Sequence, residues 1–330
     1  MRDHHLALLA CPGCRHDLRI ASIGERSGER ILEGCLSCTG CEAEYPISKG
    51  VPRFVPRDNY ASGFGLEWTR HARTQYDSNS GVPASEQRFF GQTQWPHQMV
   101  GERILEVGSG SGRFTEQAAT TGATIASLDY SYAVDANYAS NGDKENVLIV
   151  QGDVFALPFK PGIFDRVFCF GVLQHTPEPE RAFLALPNAL RSGGYLCADL
   201  YKATVWRKVF ATKYYVRPFT RNMDPEKLYK RVQAWIDFIW PVAALIRKLP
   251  KGYRINWRLL VADYSWLGLK GDKLKEWAYL DTFDMLAPKY DFPQTLESVQ
   301  AWADKAHLTR VDVEYTPHGI TVRGISPASI

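Results

Sequence analysis

The 330-residue chain has no uninterrupted apolar run long enough to cross a bilayer. Its longest strongly apolar stretch, Trp235 to Leu249, is broken by Asp237, Pro241, Arg247 and Lys248. No basic N-terminal segment leads into an apolar one, so no secretory leader is read and the expected setting is cytoplasmic and reducing. Internal repeats and low-complexity tracts are lacking as well. Overall charge is small, +3, but it is unevenly spread. Between Lys202 and Arg258 stand fourteen Lys and Arg against three acids, leaving a net −8 on the rest of the chain. One basic segment is therefore set on an acidic body. Composition is otherwise that of a folded protein, 45% hydrophobic and 23% charged, with length enough for more than one domain.

Cysteine is sparse but clustered. Five of the seven lie between Cys11 and Cys41. Cys11-Pro-Gly-Cys14 and Cys38-Thr-Gly-Cys41 are two C-x-x-C knuckles separated by twenty-three residues. Each knuckle delivers two thiolates from one tight turn, and the spacing predicts a tetrahedral zinc site of Cys11, Cys14, Cys38 and Cys41 in a unit over residues 1–57. Cys35 reads as a free thiol, with a pairing to Cys38 as the alternative. The stretch from Cys41 through Tyr45-Pro-Ile to Gly50-Val-Pro52 resembles zinc ribbons related to the small activator subunit of RNA and protein methyltransferases. The resemblance covers about residues 6–56. It implies a structural metal staple, with direct partner binding as the other role.

Glycine is concentrated in one place. Ile104-Leu-Glu-Val-Gly-Ser-Gly-Ser-Gly-Arg-Phe114 predicts a buried strand, a tight turn and the start of a helix. A dinucleotide fingerprint wants G-x-G-x-x-G, and Arg113 occupies the place of its third glycine. What stands here is acid-x-G-x-G-x-G: Glu106, Gly108, Gly110, Gly112. This resembles the first motif of class I S-adenosylmethionine (SAM) dependent methyltransferases. Two further strands end in acids, Thr124 to Asp129 and Val147 to Asp153. An acid at the first such end suits both ribose hydroxyls of a nucleoside. The resemblance assigns Asp153 to the adenine amino group and extends through Ala156-Leu-Pro-Phe and Phe164-Asp165. It implies cofactor contacts at Glu106, Gly108, Gly110, Gly112, Asp129, Tyr130, Asp153, Val154 and Gly171. Phe64-Gly-Leu-Glu-Trp68 resembles a segment lying over the cofactor pocket in a bacterial group of that family. Trp68 is then a cofactor contact and Tyr76 an acceptor contact, although plain packing is open for both. Where the family usually has Leu-His-His-Thr, this chain has Leu173-Gln174-His175-Thr176. His175 is the candidate base, with positioning or a purely structural role as alternatives.

About ninety residues, Tyr201 to Tyr290, stand where a minimal methyltransferase needs a short link, and they hold eighteen of the forty-one aromatics. Apolar positions Leu228, Val232, Trp235, Ile236 and Ile239 predict helices. This basic, aromatic insertion over 202–285 is expected to cap the cofactor crevice and select the acceptor. Asp281, Asp284 and Tyr290 lie in a segment resembling the bacterial group and, with Tyr201, are candidate acceptor contacts. A membrane-surface role for the helix is the weaker option, because Trp235 to Leu249 carries basic residues at one end only.

The expected fold is α/β: a Rossmann-like seven-stranded methyltransferase sheet with an N-terminal zinc ribbon and a helical cap, dividing the chain at 57/58. The expected activity is methyl transfer from SAM to a small-molecule or carbohydrate-type acceptor carrying carboxylate or phosphate. An RNA methyltransferase using ribbon and basic cap is the alternative. A SAM-binding partner without turnover is a third possibility.

Overall fold

In the computed structural model, residues 1–56, 59–203 and 211–327 are described. The chain begins with a four-stranded antiparallel sheet of β1 (Leu18–Ser27), β2 (Arg30–Cys38), β3 (Glu44–Ser48) and β4 (Val51–Pro52). So small a sheet buries little by itself. It gains a core by docking: Leu9, Ile31, Leu36 and Ile47 join the same apolar cluster as the main sheet. Main-chain bonds tie the two together, Ala10 N–H donating to the Pro158 carbonyl and Phe54 N–H to that of Gln151. The Arg53 guanidinium adds an ion pair with Asp135 at 2.5 Å. The docked unit also covers β7 (Val147–Gln151), the outer strand of the main sheet, which would otherwise be a bare edge.

Three helices, α1 (Ser62–Arg70), α2 (Asp77–Ser80) and α3 (Ala84–Thr93), precede the main sheet. The sheet comprises β5 (Arg103–Val107), β6 (Thr124–Asp129), β7, β8 (Phe164–Cys169), β9 (Leu190–Leu200), β10 (Thr309–Thr316) and β11 (Gly319–Ile325). Helices α4 (Arg113–Ala119), α5 (Val134–Asn141), α6 (Pro179–Ala185) and α11 (Leu296–Lys305) connect them. Strand order is β10-β11-β9-β8-β5-β6-β7. β11 alone runs antiparallel to its neighbours, so the expected seven-strand plan is what forms. Even β7, at the end of this order, is buried throughout, because both its faces and its outer edge are covered. The order reverses between β5 and β8, which opens a crevice at their carboxyl ends. Gly193-Gly194 lies inside β9 as a bulge, where the pairing jumps from Leu190 to Tyr195.

Between β9 and α11 lie α7 (Lys213–Thr220), α8 (Pro225–Ile246), α9 (Gly252–Arg258) and α10 (Gly271–Leu286). Their core is distinct from that of the sheet and includes Leu228, Val232, Ile236, Ile239, Ala278 and Phe283. Asp224 starts α8 by accepting from the Lys227 N–H, and Pro225 takes the first helical position, where its missing N–H costs nothing. Trp235 departs from the expected inward pattern and is 40% exposed. It stands one residue off the 3.6-residue stripe, and its indole N–H reaches sideways to the Leu259 carbonyl. No helix among the described residues is long and apolar enough to cross a membrane.

Candidate active site

The turn after β5 is built on glycine conformations. Gly108 has φ +82°, and a Cβ there would lie 2.1 Å from Val172 Cγ2. Its N–H and that of Ser109 donate to the Leu128 carbonyl, which pins the turn against β6. Beneath it, the Glu106 carboxylate accepts from Thr115 Oγ1 (2.5 Å) and Ser127 Oγ (2.9 Å), and Asn137 Nδ2 reaches Ser109, Thr115 and Ser127. Burial lifts the Glu106 carboxyl to about 7. Asp129 accepts from the Gly110 N–H at 2.8 Å and from the Ser131 N–H and hydroxyl, and burial raises its pKa. The next acid, Asp153, accepts from the Phe155 N–H.

A cavity of about 1280 Å³ extends from this turn to the cap. Gly108, Gly110, Asp129, Tyr130, Asp153, Val154, Gly171 and Trp68 all line it. The Trp68 indole covers the turn, about 3.0 Å from where a Gly110 Cβ would stand. On the cap side the lining includes His175, Tyr201, Asp281 and Asp284. Four anticipated contacts lie outside the wall. Glu106 is buried below the turn, braced by hydroxyls. Gly112 faces Asn137, whose Oδ1 would stand 2.1 Å from an added Cβ, so this glycine serves helix packing. Tyr76 is buried with its hydroxyl donating to the Ser111 carbonyl. Tyr290 offers a backbone oxygen, while its ring packs on Tyr60 and Phe292.

That backbone oxygen decides the state of His175. The Tyr290 carbonyl can only accept, so His175 Nδ1, at 2.9 Å, carries the ring proton. Nε2 is then a lone-pair nitrogen, buried and without a protein partner. Burial pulls the imidazole pKa below its ordinary value, against the opposing fields of Asp284 and Asp291, so the neutral ring prevails at neutral pH. Phe64 and Tyr201 pack at 5.4 and 5.3 Å from its ring centre and hold it in place.

Several lining residues escaped the sequence reading. Glu67 is fully buried, lines the cavity, and neither carboxylate oxygen has a partner. Burial raises its pKa well above the ordinary value, with Asp284 and Asp281 adding. Phe64, Glu67 and Trp68 lie at i, i+3 and i+4 on α1, one face running from His175 to the glycine turn. That spacing was the available signal. Arg113, noticed only as a missing glycine, lines the cavity, and burial lowers its pKa to about 10. Trp257, Trp266 and Trp277 come from the cap. His318 arrives from the β10–β11 turn, and nothing local marks it.

The four knuckle cysteines lie apart from this cavity, with sulfurs within 4.8 Å of one another. A tetrahedral zinc with sulfur at about 2.3 Å would space its ligands about 3.8 Å apart, so the group fits such an ion. Gly40 and Cys41 N–H groups point at Cys38 Sγ, and the Tyr45 hydroxyl lies 3.2 Å from Cys11 Sγ. Cys35 is not among the four; its thiol donates to the Leu36 carbonyl.

Comparison with known proteins fits the crevice. The family described as methyltransferase domain matches residues 105–198, the stretch from β5 to β9 that carries the glycine turn and both strand-end acids. Residues 105–198 thus match a methyltransferase domain, and the chain is a SAM-dependent methyltransferase. It is similar to a demethylmenaquinone methyltransferase of Thermobifida fusca, 27% identical over 48% of this chain and 72% of that one. A ubiquinone biosynthesis O-methyltransferase of Paraburkholderia phymatum is 26% identical, over 34% of this chain and 50% of the relative. A bifunctional biotin biosynthesis protein of Cellvibrio japonicus is 31% identical over 42% and 26%. The chain thus spans half or less of the length of the latter two. Among solved structures, a SAM-dependent methyltransferase of Methanosarcina mazei superposes with a TM-score of 0.41 at 12% identity, over 71% of this chain and 96% of its own.

Proposed function

We propose that this methyltransferase acts on a small-molecule or carbohydrate-type acceptor held between the glycine turn and the cap. Residues 1–57 are read as a Cys₄ zinc-ribbon module, 58–330 as the methyltransferase domain, and 202–285 as its cap. SAM supplies an electrophilic methyl on a sulfonium. Asp129 suits its ribose hydroxyls, Asp153 its adenine amino group, and Trp68 covers the turn. His175 Nε2 would take the proton of an acceptor hydroxyl as its oxygen bonds the methyl carbon and the carbon–sulfur bond breaks, leaving the neutral thioether. The cap's larger task is alignment and exclusion of water around the nucleophile.

One observation carries the reading. Among the described residues, His175 and Glu67 are the cavity-lining side chains with buried polar atoms lacking any partner. Buried groups of this kind are costly unless something satisfies them, and an acceptor presenting hydroxyls does so. Glu67, Asp281 and Asp284 beside Trp257, Trp266 and Trp277 combine hydroxyl-accepting carboxyls with flat apolar faces, which suits a sugar-like ring. Arg254 and Arg258 offer contacts to a carboxylate or phosphate on the same acceptor. The relatives named for quinone and biotin biosynthesis favour a small acceptor. Of the fourteen basic residues of the insertion, Lys213, Arg254 and Arg258 are those that line the cavity among the described ones, within reach of an anionic group on a small acceptor.

The test is methyl-labelled SAM incubated with the full chain and pools of sugars, sugar phosphates, quinols and RNA. Label in the sugar or sugar-phosphate pool supports the reading; label confined to RNA sinks it. Metal analysis bears on the ribbon separately: one zinc per chain is expected, lost in Cys14→Ser. A metal-free chain, or full zinc retention by the variant, removes that assignment.

A further inference from the structure

We propose that the outer face of α8, with α9 beside it, docks on the surface of an anionic lipid bilayer. Trp235, Phe238, Val242, Leu245 and Leu249 are all exposed, Phe238 by 79% and Leu245 by 63%. Their spacing of three, four, three and four residues puts them on one side of the helix and its C-terminal extension. This strip is not the one that builds the cap. Leu228, Val232, Ile236, Ile239 and Ala243 form the neighbouring face, about 100° around the helix, and are buried in the cap core. The helix therefore has two apolar faces, and only one is buried among the described residues, the other being fixed at its edge by the Trp235 indole. A strip of large apolar side chains left in water marks an interaction site.

Charge selects the occupant. Lys227, Lys230 and Arg231 are exposed at one end of the strip, and Lys248 and Lys251 at the other. None of the five forms an ion pair with a described residue. Asp237, the acid midway along the helix, is already neutralised by Lys275 at 2.6 Å. Read from Trp235 onward, the sequence shows cations at one end of the apolar run; α8 begins a full ten residues earlier, which adds the second group. Aromatic and aliphatic side chains bracketed by unpaired cations match an interface of apolar chains beneath negative headgroups. A protein partner would need an extended acidic rim to match, and a second copy would bring the two cationic ends together.

The position of the face has a consequence for the cavity. Tyr253, Arg254, Trp257 and Arg258 of α9 line it, while Ile255 between them is exposed. The Trp235 indole is bonded to the Leu259 carbonyl just beyond α9. A cap seated on a bilayer would hold this side of the cavity at the headgroup level, whatever acceptor it takes.

The test is co-sedimentation of the full chain with vesicles of phosphatidylglycerol and phosphatidylcholine, against vesicles of phosphatidylcholine alone. Binding to the anionic vesicles is expected to be about tenfold or more tighter and to weaken as salt is added. Phe238→Glu combined with Leu245→Glu should abolish it while leaving the thermal midpoint and SAM affinity unchanged. Lys230→Glu combined with Arg231→Glu should remove most of the preference for anionic lipid. No binding to anionic vesicles, or equal binding by the Phe238/Leu245 variant, overturns the proposal. So does a concentration-dependent dimer in sedimentation equilibrium that the same variant dissolves, since the strip is then an interface between copies.

Discussion

The cavity has a floor and a roof that are made in different ways. The floor is main chain: Gly108 and Gly110 in left-handed conformations, with the Asp129 carboxylate held by the Gly110 N–H. All of it sits within about two dozen residues, at the ends of two adjacent strands. The roof is side chain. Trp257, Trp266, Trp277, Asp281 and Asp284 come from α9, α10 and their connection, and an apolar core of its own holds those elements together. A floor made of backbone tolerates one ligand shape, whereas a roof made of side chains can change its ligand without disturbing the sheet. α1 belongs to both, since Trp68 covers the turn while Phe64 packs on His175.

That contrast can be broken by variants, taken from the largest expected effect downward. Gly108→Ala puts a Cβ into Val172 at a φ that disfavours it, and should cost roughly 2–4 kcal/mol with loss of SAM binding. Calorimetric SAM titration and thermal melting read both. His175→Ala stands at the boundary: turnover should drop about hundredfold or more with SAM affinity unchanged. Undiminished turnover removes the base. Asp129→Ala should weaken SAM about fiftyfold by deleting charge-assisted hydrogen bonds. An unchanged dissociation constant means the floor has been misassigned. Asp281→Asn should leave SAM affinity alone and raise the acceptor KM about tenfold. An effect on SAM of equal size would show that floor and roof are one unit.

The smallest effect is on the pH dependence of stability. The folded pKa of Glu106, about 7, lies above the ordinary carboxylate value near 4.5. The native state therefore holds an extra proton between those values, and this contribution to stability is lost as pH rises through about 7. Glu106→Gln should flatten that loss in denaturant midpoints measured from pH 5 to 8. Buried histidines act in the opposite sense. Burial lowers His5 and His318 to about 3, so stability is present above about 6.5 and is lost as pH falls from there toward 3. The floor variant should leave this acid limb untouched.

Much of the floor could be read in advance because its parts are local. Strand, glycine turn and strand-end acid each follow from a few neighbouring residues, and Asp129 and Asp153 both reach the cavity. Where local reading overreached, a packing demand was the cause. Gly112 looks like a cofactor glycine, yet Asn137 occupies the space where a Cβ would go. Tyr76 looks like a pocket aromatic, yet its hydroxyl is committed to the Ser111 carbonyl. The roof was legible only as composition: aromatic, basic and helical. The same composition hid the fact that few of its described cations line the cavity.

By itself the sequence determined the paired cysteine knuckles, the order of strands and helices, the glycine turn with its acids, and a helical insertion where a short link would serve. These depend on spacing along the chain, which sequence contains in full. Only the tertiary structure decided that Glu67 and His175 are left unpartnered in one cavity, that His175 presents a lone pair, and that α8 turns a second apolar face outward. Each of those rests on which distant groups come within a few ångströms and which are excluded. Hydrogen bonding and burial are settled there, between residues such as His175 and Tyr290 that lie 115 positions apart.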